Sequence, residues 1–569
     1  MLYVLLNWGY LFATAFLTGF AVLRPFRRLG YCCGKATGML MAGLAALTVY
    51  AQVFSLFGGV GLWANVLLIL FCLLVIVLWH RQLLSFWKKK TAAAGPAGLV
   101  LLACLILLMA YGTSRGYMHV DTGLYHAQAI RWIEEYGVVC GLGNLHSRFA
   151  YNSAAFALCA LYSMKWLFGE SLHTVQGFLA LVVAVQCAGI FGIRRRSHLL
   201  VSDFVRLGAI YYLTVLFGEM VSPASDYFAM LLLFYVLIAW LDLMERKEGN
   251  VTPYALLSLL LVFAVTVKVS AAVVLLLVLK PAIMLIRDRK WKQIGLYLGL
   301  GLGICIPWLI RGVLISGWLL YPFTFLDLFQ VDWKIEKGYA DCDAKEIQVF
   351  ARLLYDVNLY DTPFAVWVRG WFAALKGLEK VWVLSSALGV VAGAGTIVYT
   401  FLAGRSRGAR KVDWDWVLYA FVLIVGYLFW QFSAPLVRYG YVYIVALPTG
   451  VGGFIYCHLF GRGRKEIGRR LFLIAAAIFA LYKAADLAGA ISRTAAEPYY
   501  IRQQDYGTFE AFTYEVDGVT VYVPADGGQI GYDLFPSSPR VQEIELRGKG
   551  KETGDLRYGF RAAGSENTP

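Results

Sequence analysis

The sequence predicts an all-α polytopic membrane protein, and three observations carry that prediction. Of 569 residues, 60% are hydrophobic and only 15% charged, with a mean hydropathy of +0.64; soluble domains carry roughly 25% charged residues. Apolar runs of about 20 residues, enough to cross a ~30 Å hydrocarbon layer as helix, recur along the chain. Charge is clumped between those runs. This composition excludes a soluble enzyme, a coiled coil and a disordered chain, and a β-barrel would show short alternating segments instead.

The runs predict about fourteen spans, near 2–22, 37–57, 61–79, 96–112, 172–193, 204–221, 227–243, 253–267, 270–286, 293–315, 381–402, 414–431, 441–459 and 471–489. Lys and Arg cluster in the loops at 24–28, 88–90, 194–196, 287–292, 405–411 and 462–470. Threading the chain through them puts every cluster on the cytoplasmic side and both termini outside. The net charge of +15 is therefore a topology signal, and no nucleic-acid partner is expected. The amino end reads as a first span rather than a cleavable signal, because no basic residue precedes its apolar run.

Three parts follow. Residues 1–92 form three accessory spans, and 93–489 form the transmembrane core with outer loops 113–171 and 316–380. Residues 490–569 are a small outer tail with twelve acidic and eight basic residues. The apolar stretch 153–168 is expected as a helix in or dipping into the outer interface, with Lys165 and Trp166 at the boundary. In the tail, Asp517-Gly518 between residues of high β propensity predicts a hairpin, and the tail is expected to cover an outer cavity. Most of the ten cysteines lie in apolar runs and act as small hydrophobes; Cys140 and Cys342 form the one outer pair open to a disulfide.

The chemistry concentrates after the fourth span. Asp121 lies among His119, His126 and His146, three of the chain's seven histidines, with Arg148 and Asn152 following. A carboxylate at an outer face can take a proton from a hydroxyl. It can equally cap the helix expected at 122–136. A divalent metal held by His119, Asp121 and His126 is a third reading. Five helical residues turn about 500°, leaving Asp121 and His126 about 140° apart, so it requires a helix that starts after Asp121. Lys268, Arg311 and Arg438 sit in or beside apolar runs toward the outer side. Cations at membrane depth usually face a cavity or partner, and three of them suit a phosphate group; snorkelling at span ends is the alternative for the two arginines. Asp226 heads a span and reads as a cap.

This layout resembles the GT-C superfamily of membrane glycosyltransferases, which includes protein O-mannosyltransferases, aminoarabinose transferases and oligosaccharyltransferases. The matching order is a span (96–112), an acid opening an outer loop (Asp121), an interfacial helix (153–168) and a span ending in arginines (172–196). The FGES at 168–171 is similar to the superfamily, whereas Tyr151-Asn152-Ser153 departs from its usual His or Lys before two prolines. More closely, the chain resembles a related bacterial group of multispan proteins, through DTGLYHAQAIRWIEEYGVVCGLGNLHSRFAYNS, VTVKVSA, PWLIRGVLISGWLLYP, FSAPLVRYG and IELRGKG. That group would place an acid after the Ala-Pro of FSAP, where Leu436 stands.

The resemblance implies a GT-C-like core and a glycosyltransferase in the plasma (inner) membrane. Its partners would be the lipid bilayer, a sugar donor linked to polyprenyl phosphate, and a cell-envelope glycan or protein acceptor. Asp121 would be the general base. His126, His146, Arg148, Asn152, Lys268, Arg311 and Arg438 would bind donor or acceptor. No resident cofactor is expected, since a metal does not carry over. The alternatives are a transporter or flippase for a lipid-linked sugar, which would need a cavity open to both faces in turn, and a polysaccharide polymerase or ligase.

Overall fold

The computed structural model describes residues 1–196, 198–406, 412–460 and 465–564. Arg407, Arg410, Lys411, Arg462 and Arg464 of the basic clusters lie outside them. Twelve helices among the described residues are long and apolar enough to cross a membrane. The protein is an all-α, multi-pass membrane protein. Helix Leu62–Ser114 takes up two of the fourteen expected runs, and Val251–Val267 is a shorter apolar helix.

The first helices are α1 (Leu2–Leu23), α2 (Ala36–Ser55) and α3 (Leu62–Ser114). α1 and α2 cross with their backbones touching. A Cβ on Gly19 would sit 1.8 Å from Met39 O, and one on Gly43 the same distance from Ala15 O, as in membrane helix pairs built on small residues. Straight, α3 would be about 80 Å long. Instead it doubles back: just ahead of it Val60 N–H donates to Ile133 O at 2.8 Å, and its last residue, Ser114, leads into the same 113–171 loop and accepts from Gln504 N–H of the tail at 2.9 Å, so both its ends lie beside that loop. Between them, Gln82 accepts from Arg24 beyond the far end of α1. The backbone breaks at Trp79 and at Gly95, which takes φ +64° ahead of Pro96; only glycine adopts that conformation cheaply.

After the site loop come α4 (Ala127–Glu135), α5 (Ala154–Tyr162), α6 (Val175–Cys187), α7 (Val201–Leu216) and α8 (Ser225–Glu245). α8 is apolar on every side and buried almost throughout, the mark of a central helix. α5, the first part of the expected interfacial helix, is also buried from end to end. It packs against α2 and α4, so protein replaces lipid around it, and only the Lys165–Phe168 turn is left for the surface. α9 (Val251–Val267), α10 (Leu279–Arg287) and α11 (Trp291–Ser316) follow. Asn250 caps α9 by accepting from Thr252 N–H at 3.0 Å.

The 316–380 loop carries α12 (Lys337–Ala351) and α13 (Phe364–Ala374). Then come α14 (Leu378–Ser406), α15 (Trp414–Phe432), α16 (Val437–Leu459) and α17 (Lys465–Thr494). The described basic loops gather at one end, remote from Asp121. Arg469 reaches Arg196 O, Arg206 pairs with Asp242, Lys35 meets Asp242 at 2.9 Å, and Asn250 holds Leu29 O.

In the tail, β1 (Ala511–Val516) and β2 (Val519–Pro524) pair antiparallel about Asp517-Gly518. Both turn residues have positive φ, as a two-residue hairpin loop requires. β3 (Ile544–Leu546) pairs with β4 (Phe560–Ala562). The tail docks on the segment after Asp121: Ile530 and Gly531 N–H both donate to Gly123 O at 2.9 Å, and Gln128 Nε2 donates to the carbonyls of Gly531, Tyr532 and Leu534. Cys140 and Cys342 are free thiols.

Candidate functional site

Asp121 stands just before the helical turn Thr122–His126, yet its side chain makes no capping hydrogen bond. The carboxylate turns instead toward cations. Arg438, in the first turn of α16, places Nη2 2.5 Å from Asp121 Oδ2 and Nε 3.2 Å from Asp226 Oδ2. Arg148 Nη1 lies 3.5 Å from Asp121 Oδ1. Asp226, in the first turn of α8, also pairs with Lys268, whose ammonium sits 3.8 Å above the Tyr439 ring. His119 Nδ1 accepts from Asp121 N–H at 3.1 Å and its ring touches Arg438. Two carboxylates and three cations thus form one network across the 113–171 loop, α8, the α9–α10 connection and α16.

The network borders a cavity of about 600 Å³ walled by Asp121, His119, Glu219, Tyr227, Trp371 and Arg438. Trp371 belongs to α13, so the second large loop closes over the first. Asp343 of α12 fixes that closure by accepting from the Tyr151 and Tyr321 hydroxyls, Tyr321 at 2.8 Å. None of the cavity-wall residues comes from 490–569. The tail therefore packs against the loop carrying Asp121 rather than over the cavity wall.

The profile of a family described as a domain of unknown function (DUF8201) matches residues 1–445. The chain belongs to this family. The matched stretch contains Asp121, Asp226, Lys268 and Arg438 together with α1 and α2, and it stops within α16, ahead of the tail. No curated protein and no solved structure matches the chain.

The electrostatics follow from burial and charge. Burial, the largest influence on Asp121, opposes its ionisation; Arg438, the two histidines and Arg148 outweigh it and draw the carboxyl down to about 2. His126 is buried beneath Asp121 against Tyr125 and Phe156. Burial pushes its imidazole down to about 3, so it is neutral and Thr122 bonds to its Nδ1 at 3.2 Å. Burial, and then Arg438, also lower His119. Among the described residues no group of three or more His, Cys, Asp or Glu side chains could hold a metal ion.

Of the sequence-selected residues, Asp121, Arg148, Lys268 and Arg438 meet in the network, and His126 lies directly behind it. Only Asp121 and Arg438 of these line the cavity, and three other residues stay outside both network and cavity. Arg311 is 2% exposed and donates to Asn152 Oδ1 at 3.2 Å and to Ser55 Oγ. Asn152 in turn holds Trp308 through two 2.8 Å bonds. Together these residues tie α11 to α2 and the start of α5, a packing role where a donor contact was expected. His146 is buried behind Arg148, whose backbone N–H it accepts at 3.4 Å.

Sequence reasoning undervalued Asp226 and His119, and it missed Glu219, Tyr227 and Trp371. The Ser-Asp at a span start was the one local signal for Asp226, and it signals a cap equally well.

Proposed function

We propose that the protein is a membrane glycosyltransferase. It moves a sugar from a polyprenyl-phosphate donor to an acceptor hydroxyl at the extracytoplasmic face of the plasma (inner) membrane. The observation that carries this reading is the meeting of Asp121 and Arg438, 317 residues apart, at one cavity beside a second buried carboxylate. The clustering of basic loops at the opposite end supports an extracytoplasmic site by the positive-inside rule. The resemblance to GT-C transferases, with about fourteen spans and catalysis in the first long outer loop, 113–171, belongs to the same reading.

The donor phosphate binds Arg438, with Lys268 and Arg148 adding positive potential. Asp121 takes the proton of the acceptor hydroxyl. The acceptor oxygen forms its bond to the anomeric carbon as the bond from that carbon to the phosphate oxygen breaks. The electron pair leaves with the lipid phosphate, whose charge Arg438 stabilises. One displacement assisted by one base inverts the anomeric centre. A carboxylate paired this closely with an arginine is a weak base. A phosphate that draws Arg438 away raises Asp121's proton affinity at the moment when acceptor chemistry needs it.

The test is transfer of labelled sugar from polyprenyl phosphate by the purified full chain, with melting temperature as the folding control. Asp121→Asn is expected to lower the rate by about 10²–10⁴-fold while still binding donor. Arg438→Ala is expected to weaken donor binding. Wild-type rates from Asp121→Asn at an unchanged melting temperature would sink the assignment.

A further inference from the structure

A cavity larger than the one beside Asp121 lies at the other end of the molecule. It has a volume of about 1070 Å³ and runs between α1, α2, α8, α9 and α11. Its mouth is at the carboxyl end of α8, where Asp242 and Arg246 line it. Asp226, in the Asp121 network, is sixteen residues earlier on the same helix, about 24 Å away along the axis. The two cavities are therefore distinct sites facing opposite ends.

The inner wall is apolar, built from side chains such as Leu23, Val49, Leu260 and Ile304. On the α11 side, Leu296 and Leu300 are 43% and 37% exposed, so the cavity opens sideways where lipid chains run. Gln186 breaks the apolar lining: its Nε2 donates to Tyr235 O at 3.0 Å, but its buried Oε1 has no donor among the described residues. The rim carries Arg28, Lys35 and Arg246 against Asp242 and Glu248. Asp242 is already committed to Arg206 and Lys35. Arg246 spends only Nε, on Asp242 O at 2.8 Å, and no ion pair or hydrogen bond engages Arg28 among the described residues. Two guanidinium groups with donors to spare thus stand at the mouth of a lipid-depth apolar chamber, the arrangement that a phosphate attached to hydrocarbon chains would fill.

We propose that this cavity is a binding site for one anionic diacyl glycerophospholipid, its phosphate held by Arg28 and Arg246 and its acyl chains in the apolar chamber. The probe is dioleoyl phosphatidylglycerol, compared with dioleoyl phosphatidylcholine, titrated into the detergent-purified full chain and read by native mass spectrometry. Wild type is expected to retain one phosphatidylglycerol with at least ~10-fold preference, the scale of a charge-assisted hydrogen bond.

Arg28→Gln with Arg246→Gln should erase the preference, because phosphatidylglycerol loses more than phosphatidylcholine, whose choline cation already neutralises part of the phosphate's charge. Gly299→Phe with Gly303→Phe should displace both lipids. Both glycines line the cavity and have open space at the Cβ position, so the rings fill it without a backbone clash; lipid-free melting is the folding control. Equal retention of the two lipids by wild type would mean ordinary bilayer filling and overturn the proposal. So would unchanged phosphatidylglycerol retention in the phenylalanine variant, competition by glycerol 3-phosphate as strong as by the lipid, or tighter binding of polyprenyl phosphate.

Discussion

At the residue scale, the Asp121–Arg438 pair makes a pH-dependent contribution to stability whose sign can be worked out. The carboxyl is lowered from 3.8 to about 2, so the folded state binds its proton less readily than the unfolded chain. The stabilisation is fully present above the unfolded value and disappears as pH falls toward 2. Its size is about 2 kcal/mol. Wild-type stability should therefore decline between pH 4 and pH 2 by about that much more than the stability of Asp121→Asn, measured by denaturant unfolding in detergent. Parallel declines would contradict the pair as drawn. Asp226→Asn provides a second test: it strips Arg438 and Lys268 of a shared anion, and truncating one partner of a buried pair typically costs about 3–5 kcal/mol. Its melting temperature should fall further than that of Asp121→Asn. Asp121, Arg148, Lys268 and Arg438 were legible in the sequence because charge is rare in an apolar chain and stands out. Asp226 was not, since an acid at a helix start is also the commonest cap, and only the approach of α16 to α8 separates the two roles. Arg311 misled for the converse reason: a buried arginine satisfied by Asn152 and Ser55 has the same sequence signature as one facing a ligand.

At the element scale, the α1–α2 crossing depends on two glycines in the close approach, Gly19 and Gly43. Gly43→Leu forces the helices apart and is expected to lose about 1–3 kcal/mol or more, the range for overpacking. Gly9→Ala on the same helix α1 has nothing within 4 Å of the added carbon and should be neutral or gain up to ~1 kcal/mol. Thermal unfolding of the two variants side by side checks the contrast, and equal losses would refute close backbone packing as its cause. The helices themselves were legible from hydropathy, because length and apolarity are local properties. The burial of α5 was not: an apolar run reads the same whether lipid or protein surrounds it. The doubling back of α3 was legible in its two apolar runs, 61–79 and 96–112, on either side of the basic stretch 88–90; the break at Gly95 ahead of Pro96 was not singled out.

At the scale of the whole molecule, the tail acts as a clasp on the Asp121 loop. Gln128→Ala removes the donor to three tail carbonyls and is expected to cost about 1–2 kcal/mol. It should also speed proteolysis between residues 505 and 535. Unaltered cleavage would show that the clasp is held elsewhere, for example by Arg131 on the carbonyls of Tyr532 and Asp533. The tail's hairpin was visible in Asp517-Gly518, but its docking surface was not, because backbone hydrogen bonds between segments 400 residues apart leave no trace in composition.

The pairing of the start of α1 with residues 500 and 501 has a consequence for how the protein is made. Leu2 N–H donates to Tyr500 O and Tyr3 N–H to Ile501 O, both at 3.0 Å. Two segments so joined occupy the same compartment, so the chain between them traverses the bilayer an even number of times, whatever the fate of each individual helix. The contact also cannot form until some 500 residues have been synthesised and inserted. Helix α1 thus meets α2 through its glycine face early, whereas the clamp on its outer end closes only after α17 has been inserted.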